Sequence, residues 1–343
     1  MHTDLSTITW DPALDEGAQN AVVTCLRIRP DEPVVVFADR ERAAIGAALT
    51  AAVQAVGAPV ETFVLEDYAG RPCTYLPAPI AEGFERSTVS IFCCGAQPGE
   101  LEMRKAMTTI VNRRRMRHGH MVGITEQIMQ EGMRADFEEV YRLTEWVRTR
   151  AMQAKEIVCR TPAGTDLRAT FTQRMPWIPT SGIISTKKWG TLPGGETFTS
   201  PVDCEGVFVV DGAMGDWLAH KYGDMRDHPL TIHVEKSRVV HATCDHAGAL
   251  ADFLEYISED PNGNRVGEYA LGTNTAVPGI IGNMLQDEKI PGVHIAFGHP
   301  YTEHTGADWS AKTHIDMVGR DFDVWFDGVA IMEKGRYLTN GEL

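Results

Sequence analysis

The sequence predicts an α/β protein, with an N-terminal wound α/β domain over residues 1–154 followed by a β-rich domain over residues 155–343. Three observations predict it. At 343 residues the chain is longer than one core comfortably serves. The first half alternates short apolar runs with helix-patterned segments. The second half replaces the helices with short strands punctuated by glycine and proline.

Taken in order, "EPVVVFAD" (32–39) is a β-branched run of the kind a buried parallel strand shows. "RERAAIGAALTAAVQAVG" has apolar residues at helical spacing and a closing glycine. "PVETFVLE" and "STVSIFCCG" read as further strands, "ELEMRKAMTTIVNRRRM" as a helix and "HGHMVGI" as another strand. "ADFEEVYRLTEWVRTRAMQA" reads as a long amphipathic helix. No G-x-G-x-x-G follows the first strand and no phosphate-binding G-x-x-x-x-G-K-[ST] occurs, so this domain has no nucleotide motif. Beyond Ala154, "KEIVCRTPAGTDLRATF" signals a hairpin about its Pro-Ala-Gly turn. Short strands follow in "EGVFVVDG", "PLTIHVEKSRVVHATC", "PGVHIAFG", "KTHIDMVG" and "DVWFDGVAI", interrupted by one helix, "AGALADFLEYI".

Composition narrows the function. A net charge of −15 argues against nucleic acid as a partner, because phosphate binding needs clustered bases. The one basic knot, "NRRRMRHGH" (112–120), reads as a solvated face or subunit contact, with anion binding as the other option. No apolar run is long enough to span a bilayer, and the N-terminus carries acids where a secretory signal carries bases. A cytoplasmic location is therefore expected, with no membrane partner. Seven cysteines in no repeated spacing, with no C-x-x-C, point to neither a zinc ribbon nor a redox centre.

The residues that suggest chemistry lie in the second domain. Glu196 follows a Pro-Gly-Gly turn, and Glu268 sits in "VGEYALGTN". "DEKIPGVHIAFGHPY" carries Glu288, His294 and Tyr301, and "SAKTHIDMVG" carries His314 and Asp316. His314 and Asp316 are two apart, so on a strand they share a face. Each alone has an ordinary explanation: a packed histidine, a turn acid, a mutually satisfied pair. Together they form a mixed oxygen and nitrogen ligand set suited to Zn²⁺, Co²⁺, Mn²⁺ or Fe²⁺, and the second domain is expected to bind metal.

In this combination "LPGGE", "EYALGTN", "DEKIPGVHIAFG", "THIDMV" and "FDGVAIMEKG" resemble the thermophilic-aminopeptidase group of metallopeptidases, family M29. The resemblance spans the second domain. It implies metal ligands at Glu196, Glu268, His294, Tyr301, His314 and Asp316, holding two divalent ions (Zn, Co or Mn) in a homodimer or higher homo-oligomer. The activity implied is hydrolysis of a peptide or small amide C–N bond by metal-activated water. Glu196 or Glu288 would carry the proton, and Tyr301 would stabilise the oxyanion. The chain also resembles the 2,5-dihydroxypyridine 5,6-dioxygenases, ring-opening enzymes with one Fe²⁺ whose His-x-Asp pair falls on His314 and Asp316. Those enzymes want histidine where this chain has Glu268, so hydrolysis is the preferred reading. A non-catalytic small-molecule binder on the same fold is the third. Trp177, Trp189, Phe198 and Trp309 are candidates to line a substrate pocket. His299 and His304 are candidate acid/base groups, and Arg174, Lys187 and Lys188 candidate contacts for a substrate carboxylate; packing, an exposed loop or surface charge is the commoner explanation for each.

Overall fold

The computed structural model describes residues 2–343. Val34–Ala38 forms β1, with every side chain buried, as a continuous apolar run requires. β2 (Val60–Val64) and β3 (Val89–Cys93) flank it in parallel, both in register with Val34. β4 (Arg117–His120) extends the sheet beside β3. Parallel neighbours need long crossovers, and α2 (Ala43–Ala55), α3 (Ala78–Arg86) and α4 (Leu101–Arg114) provide them. Two short helices, α1 (Asp15–Gln19) and α5 (Glu126–Gln130), complete this wound α/β unit.

Because the sheet runs β2-β1-β3-β4, its direction of growth reverses between β1 and β3. Open α/β sheets usually take their ligands beyond the strand ends at such a point. Here an ion network fills that place. Fully buried Asp39 accepts hydrogen bonds from Arg71 (2.6 Å), Arg42 (3.0 Å) and the Gly95 amide (2.6 Å), while Arg71 also pairs with buried Glu100. A Cβ at residue 95 would come within 2.6 Å of Arg42. The absence of a nucleotide motif therefore has a structural counterpart.

His118 and His120 share one face of β4, opposite Ser90 and Phe92 of β3. The Ser90 hydroxyl lies 2.8 Å from His118 Nδ1, and His118 Nε2 lies 3.0 Å from His120 Nδ1. Phe92 stacks on His120, and Trp189 closes over both imidazoles at 5.7 and 5.3 Å between ring centroids. Burial holds the pKa of His118 down to about 3 and that of His120 well below its usual value.

By compactness the first unit comprises the chain up to Glu138 together with Gly182–Gly194, and the second comprises Glu139–Ser181 with Gly195–Leu343. This differs from a single boundary after residue 154 in two ways. The helix α6 (Phe137–Ala151) lies largely in the second unit, because Leu143, Trp146, Val147 and Ala151 join that unit's core. Periodicity shows that α6 has an apolar face but not which core receives it.

The second unit contains two antiparallel sheets. β5 (Glu156–Arg160) and β6 (Asp166–Thr170) form the expected hairpin, Glu156 opposite Thr170. They lie in an eight-stranded sheet with β10 (Asp203–Val210), β11 (Leu230–Glu235), β12 (Arg238–Thr243), β16 (Asp323–Phe326), β17 (Val329–Glu333) and β18 (Arg336–Tyr337). The order is β12-β11-β10-β6-β5-β16-β17-β18. The other sheet runs β15 (His314–Val318), β14 (Gly292–Gly298), β13 (Val266–Gly272), β9 (Glu196–Thr199), β7 (Ile178–Pro179). The remaining strand, β8 (Gly190–Thr191), pairs with β4 in the first unit's sheet. α8 (Ala247–Ser258) is the interrupting helix; α7 (Asp216–Tyr222), α9 (Met284–Asp287) and α10 (Thr302–Thr305) are short. One face of the five-stranded sheet, with Tyr269, Leu271, Val293, Ile295, Phe297, Ile315 and Met317, packs into a core shared with Phe208, Ile232, Phe253 and Phe322. Each large apolar side chain buried there contributes roughly 1.5–3 kcal/mol. Among the described residues no helix is long and apolar enough to cross a membrane.

The buried histidine pair makes stability depend on pH with a definite sign. A histidine pKa depressed by folding means that the unfolded chain binds more protons. The contribution is complete above about pH 6.5 and is lost below it, at about 1.4 kcal/mol per pH unit per group. Between pH 6.5 and pH 5 the urea midpoint of the parent should therefore fall relative to that of the His118→Asn, His120→Asn double variant, all other titrating groups contributing equally to both. An equal fall in the double variant would assign acid sensitivity to other groups.

Candidate metal centre

Strand alternation builds the site. With one face of the five-stranded sheet committed to the core, the other face receives Glu196 and Phe198 of β9, Glu268 and Ala270 of β13, His294 and Ala296 of β14, and His314 and Asp316 of β15. The register places Glu268 opposite Ala296 and Ala296 opposite Asp316, with His294 opposite Ala270. The two alanines leave room above the middle strands, so long side chains from the flanking strands meet there. Glycine shapes the edges. Gly195 adopts φ +131°, where a Cβ would fall 2.6 Å from Asn274 Cβ, and its turn delivers Glu196 to the strand. Gly298, opposite His314, adopts φ +101° with no space for a Cβ beside the Thr313 carbonyl.

The sequence candidates converge. His294 Nε2 lies 3.7 Å from Glu196 Oε2 and 3.8 Å from Glu268 Oε1. His314 Nε2 lies 3.7 Å from Glu268 Oε2 and 3.4 Å from Asp316 Oδ1. These separations are long for hydrogen bonds, and His294 Nε2 is buried with no hydrogen-bond partner. The His314 Nδ1–H donates to the His299 carbonyl at 2.9 Å, which leaves the Nε2 lone pair facing the carboxylates. Two groups of donor atoms, Glu196/Glu288/His294 and Glu268/His294/Asp316, each lie within 4.8 Å of one another. An unpartnered imidazole nitrogen, a second imidazole fixed by its other nitrogen and a ring of carboxylates fit a divalent cation.

Lys289 was not anticipated. It is 1 % exposed, and its ammonium sits 2.6 Å from Glu196 Oε1 and pairs with Glu288. Thr180 donates to the same Glu196 oxygen at 2.7 Å, so only Oε2 faces the centre. The sequence offers only the acid-acid-base triplet "DEK" ahead of an apolar strand as a signal; once the fold buries the lysine, it needs acids. Asp287 of the same triplet accepts backbone N–H bonds from Ile281, Gly282 and Asn283, which fixes the loop before α9. Glu288 follows directly from that helix.

The charges set each other's proton affinities. Burial favours neutral imidazoles, yet the surrounding carboxylates raise His294 to about 9 and His314 to about 10. Against its own burial, Asp316 is held down to about 2 by His314. Burial also acts against Glu196, but Lys289 and His294 bring it below the usual glutamate range. Burial pushes Glu288 up to about 8, with Glu196 and Asp316 adding to the shift and Lys289 opposing it. Tyr301, in a left-handed conformation at φ 49°, packs against Phe198 and His314 at 5.6 and 4.8 Å between ring centroids. Burial and the four carboxylates hold its hydroxyl protonated.

Other candidates lie elsewhere. Trp177 packs on Phe171 and Tyr269 in the core, and Trp309 lies beneath Arg265. Trp189, Lys187 and Lys188 belong to the first unit. His299 accepts the Tyr301 amide, whereas His304 and Arg174 are exposed.

The sequence pattern of the thermophilic metalloprotease family (M29) matches residues 131–320. Among solved structures the chain is similar to 2,5-dihydroxypyridine dioxygenase from Pseudomonas putida KT2440, with a TM-score of 0.70 and 18% identity over 96% of this chain and 98% of that one. It is similar also to wild-type AmpT from Thermus thermophilus, with a TM-score of 0.68 and 17% identity over 95% of this chain and 99% of that one. At such identities the likeness is one of fold. No curated protein sequence matches.

Removing the Lys289 ammonium leaves two buried carboxylates uncompensated. Lys289→Met should cost about 3–5 kcal/mol in chemical unfolding, and adding Glu196→Gln should restore part of it. A Lys289→Met midpoint equal to the parent's would show that the buried pair does not form.

Proposed function

We propose, since this chain belongs to the thermophilic metalloprotease family (M29), that it is a metal-dependent hydrolase cleaving a peptide or small amide C–N bond. The observation that carries the reading is the convergence of Glu196, Glu268, Glu288, His294, His314 and Asp316 on one centre, with His294 Nε2 left without a hydrogen-bond partner. Glu268, His294, His314 and Asp316 would hold a divalent ion on one side. Glu196 and His294 would supply donors on the other, with the Glu288 carboxylate beside them. The mixed donor set accepts Zn²⁺, Co²⁺ or Mn²⁺. When bound, such an ion supplies Lewis acidity toward a carbonyl oxygen and a lowered pKa for water.

The chain's own groups then divide the remaining work. Glu288 keeps 18 % of its side chain accessible, the most among the four carboxylates, and its proton affinity is near 8. It is placed to take a proton from the attacking water and return it to the leaving nitrogen. Glu196 has one oxygen committed to Lys289 and Thr180 and is the poorer carrier. The Tyr301 hydroxyl, kept protonated, serves as a donor to oxygen charge developing on the substrate. This reading takes the enzyme as a homodimer or higher homo-oligomer acting on a small molecule or peptide, as the family resemblance implies, and as cytoplasmic, as the sequence composition suggests.

A second reading, ring opening at one Fe²⁺, has in its favour the compact Glu268/His294/Asp316 group. Metal content separates the two. Protein purified without chelator or nickel should carry about two zinc, cobalt or manganese ions per chain by plasma mass spectrometry. Asp316→Asn should lower that content. Glu288→Gln should keep the metal and reduce kcat on peptide or amide substrates about 10²–10⁴-fold. One iron per chain, with activity that requires Fe²⁺ and O₂, would replace hydrolysis with ring cleavage.

A further inference from the structure

Two basic segments far apart in sequence meet in the first unit. Asn112 and Arg115, at the end of α4, and Thr186, Lys187, Lys188 and Trp189, from the returning 182–194 segment, line one cavity of about 480 Å³. No carboxylate lines it, in a chain whose 47 acids outnumber its 32 lysines and arginines. The neighbouring bases are committed elsewhere: Arg113 and Arg114 pair with Glu85, and Arg117 pairs with Glu32. Arg115 and Lys187 have no carboxylate partner among the described residues. Arg115 also occupies the left-handed position that ends α4, at φ 53°, a place where glycine or asparagine is the unstrained choice. The opposite wall is held in place, because β8 pairs with β4 and the Trp189 ring rests on His118 and His120.

We propose that this cavity binds a small organic anion: a carboxylate or phosphate group carried on a flat apolar body. The oxyanion meets Arg115 and Lys187, for which charge-assisted hydrogen bonds are the strong contacts available. Asn112 and Thr186 add neutral hydrogen-bonding groups, and the Trp189 indole offers the ligand's ring a face. The volume suits a ligand of that size, and the strongly negative remainder of the chain disfavours an extended polyanion.

The test is isothermal titration calorimetry of the full chain at fixed ionic strength with benzoate, phenyl phosphate and inorganic phosphate. Saturable binding of one benzoate or phenyl phosphate per chain is expected, with inorganic phosphate weaker, and the tighter of the two aromatic probes identifies the headgroup. Arg115→Gln with Lys187→Gln should weaken binding at least about tenfold at an unchanged melting temperature, and Trp189→Phe should narrow the gap between the aromatic probes and phosphate. The proposal is overturned by the absence of saturable heat, or by binding that survives in the double glutamine variant. It is equally overturned if that variant changes the sedimenting mass while the parent binds no anion, because these cations would then face a second copy of the chain.

Discussion

Three carboxylates on one face of one sheet, joined by Glu288 from the end of α9, cannot all stay charged without cations, and the second unit is organised around that requirement. A lone buried carboxylate costs several kcal/mol even after relaxation, so Glu196, Glu268, Glu288 and Asp316 are tolerable only as a set with positive partners. Lys289 supplies one from within the fold. The two imidazoles supply more when protonated, which is why their proton affinities are driven upward despite burial. A divalent ion meets the same need and leaves the imidazoles neutral. The electrostatics that make these carboxylates costly side by side therefore favour a cation among them, independently of any family likeness.

The alternation that forms this face was legible in the sequence. In "GVHIAFG" and "THIDMVG" the bulky apolar residues Val293, Ile295 and Phe297, then Ile315 and Met317, fall at every second position, which puts them in the core and His294, His314 and Asp316 on the other side. Apolar runs marked β1 and β3 equally well. What stayed hidden depends on pairing between distant segments. Lys289 reads as a surface base until the register brings Glu196 beside it. Trp177 and Trp189 read as possible walls for the metal site, yet one belongs to a core and the other, in the first unit, packs on a histidine pair and lines the cavity beside Lys187. Strands of two residues, such as β7 and β8, carry no periodicity at all and exist only because a neighbour offers an edge.

The first unit solves a different problem with the same currency of charge. A reversal of strand order normally leaves an open crevice, and here Asp39, Arg42, Arg71 and Glu100 close it with mutually satisfied ion pairs. Buried pairs of this kind contribute little net stability but are costly to break singly, so the network acts as a lock on loop geometry. The wound sheet accordingly keeps its usual ligand crevice shut, and the candidate metal donors lie in the second unit.

The return of Gly182–Gly194 to the first unit has a consequence for how the molecule can be divided. A fragment ending at Glu138 would lack β8, leaving β4 as an open edge with unpaired backbone groups, the kind of surface that recruits foreign strands. It would also lose Trp189 from the histidine pair. The second unit, relieved of the same thirteen residues, would have to bridge Ser181 to Gly195 directly. No single cut yields two self-sufficient pieces. Shuffling by end-to-end fusion therefore cannot exchange one unit for another, and both must be inherited together.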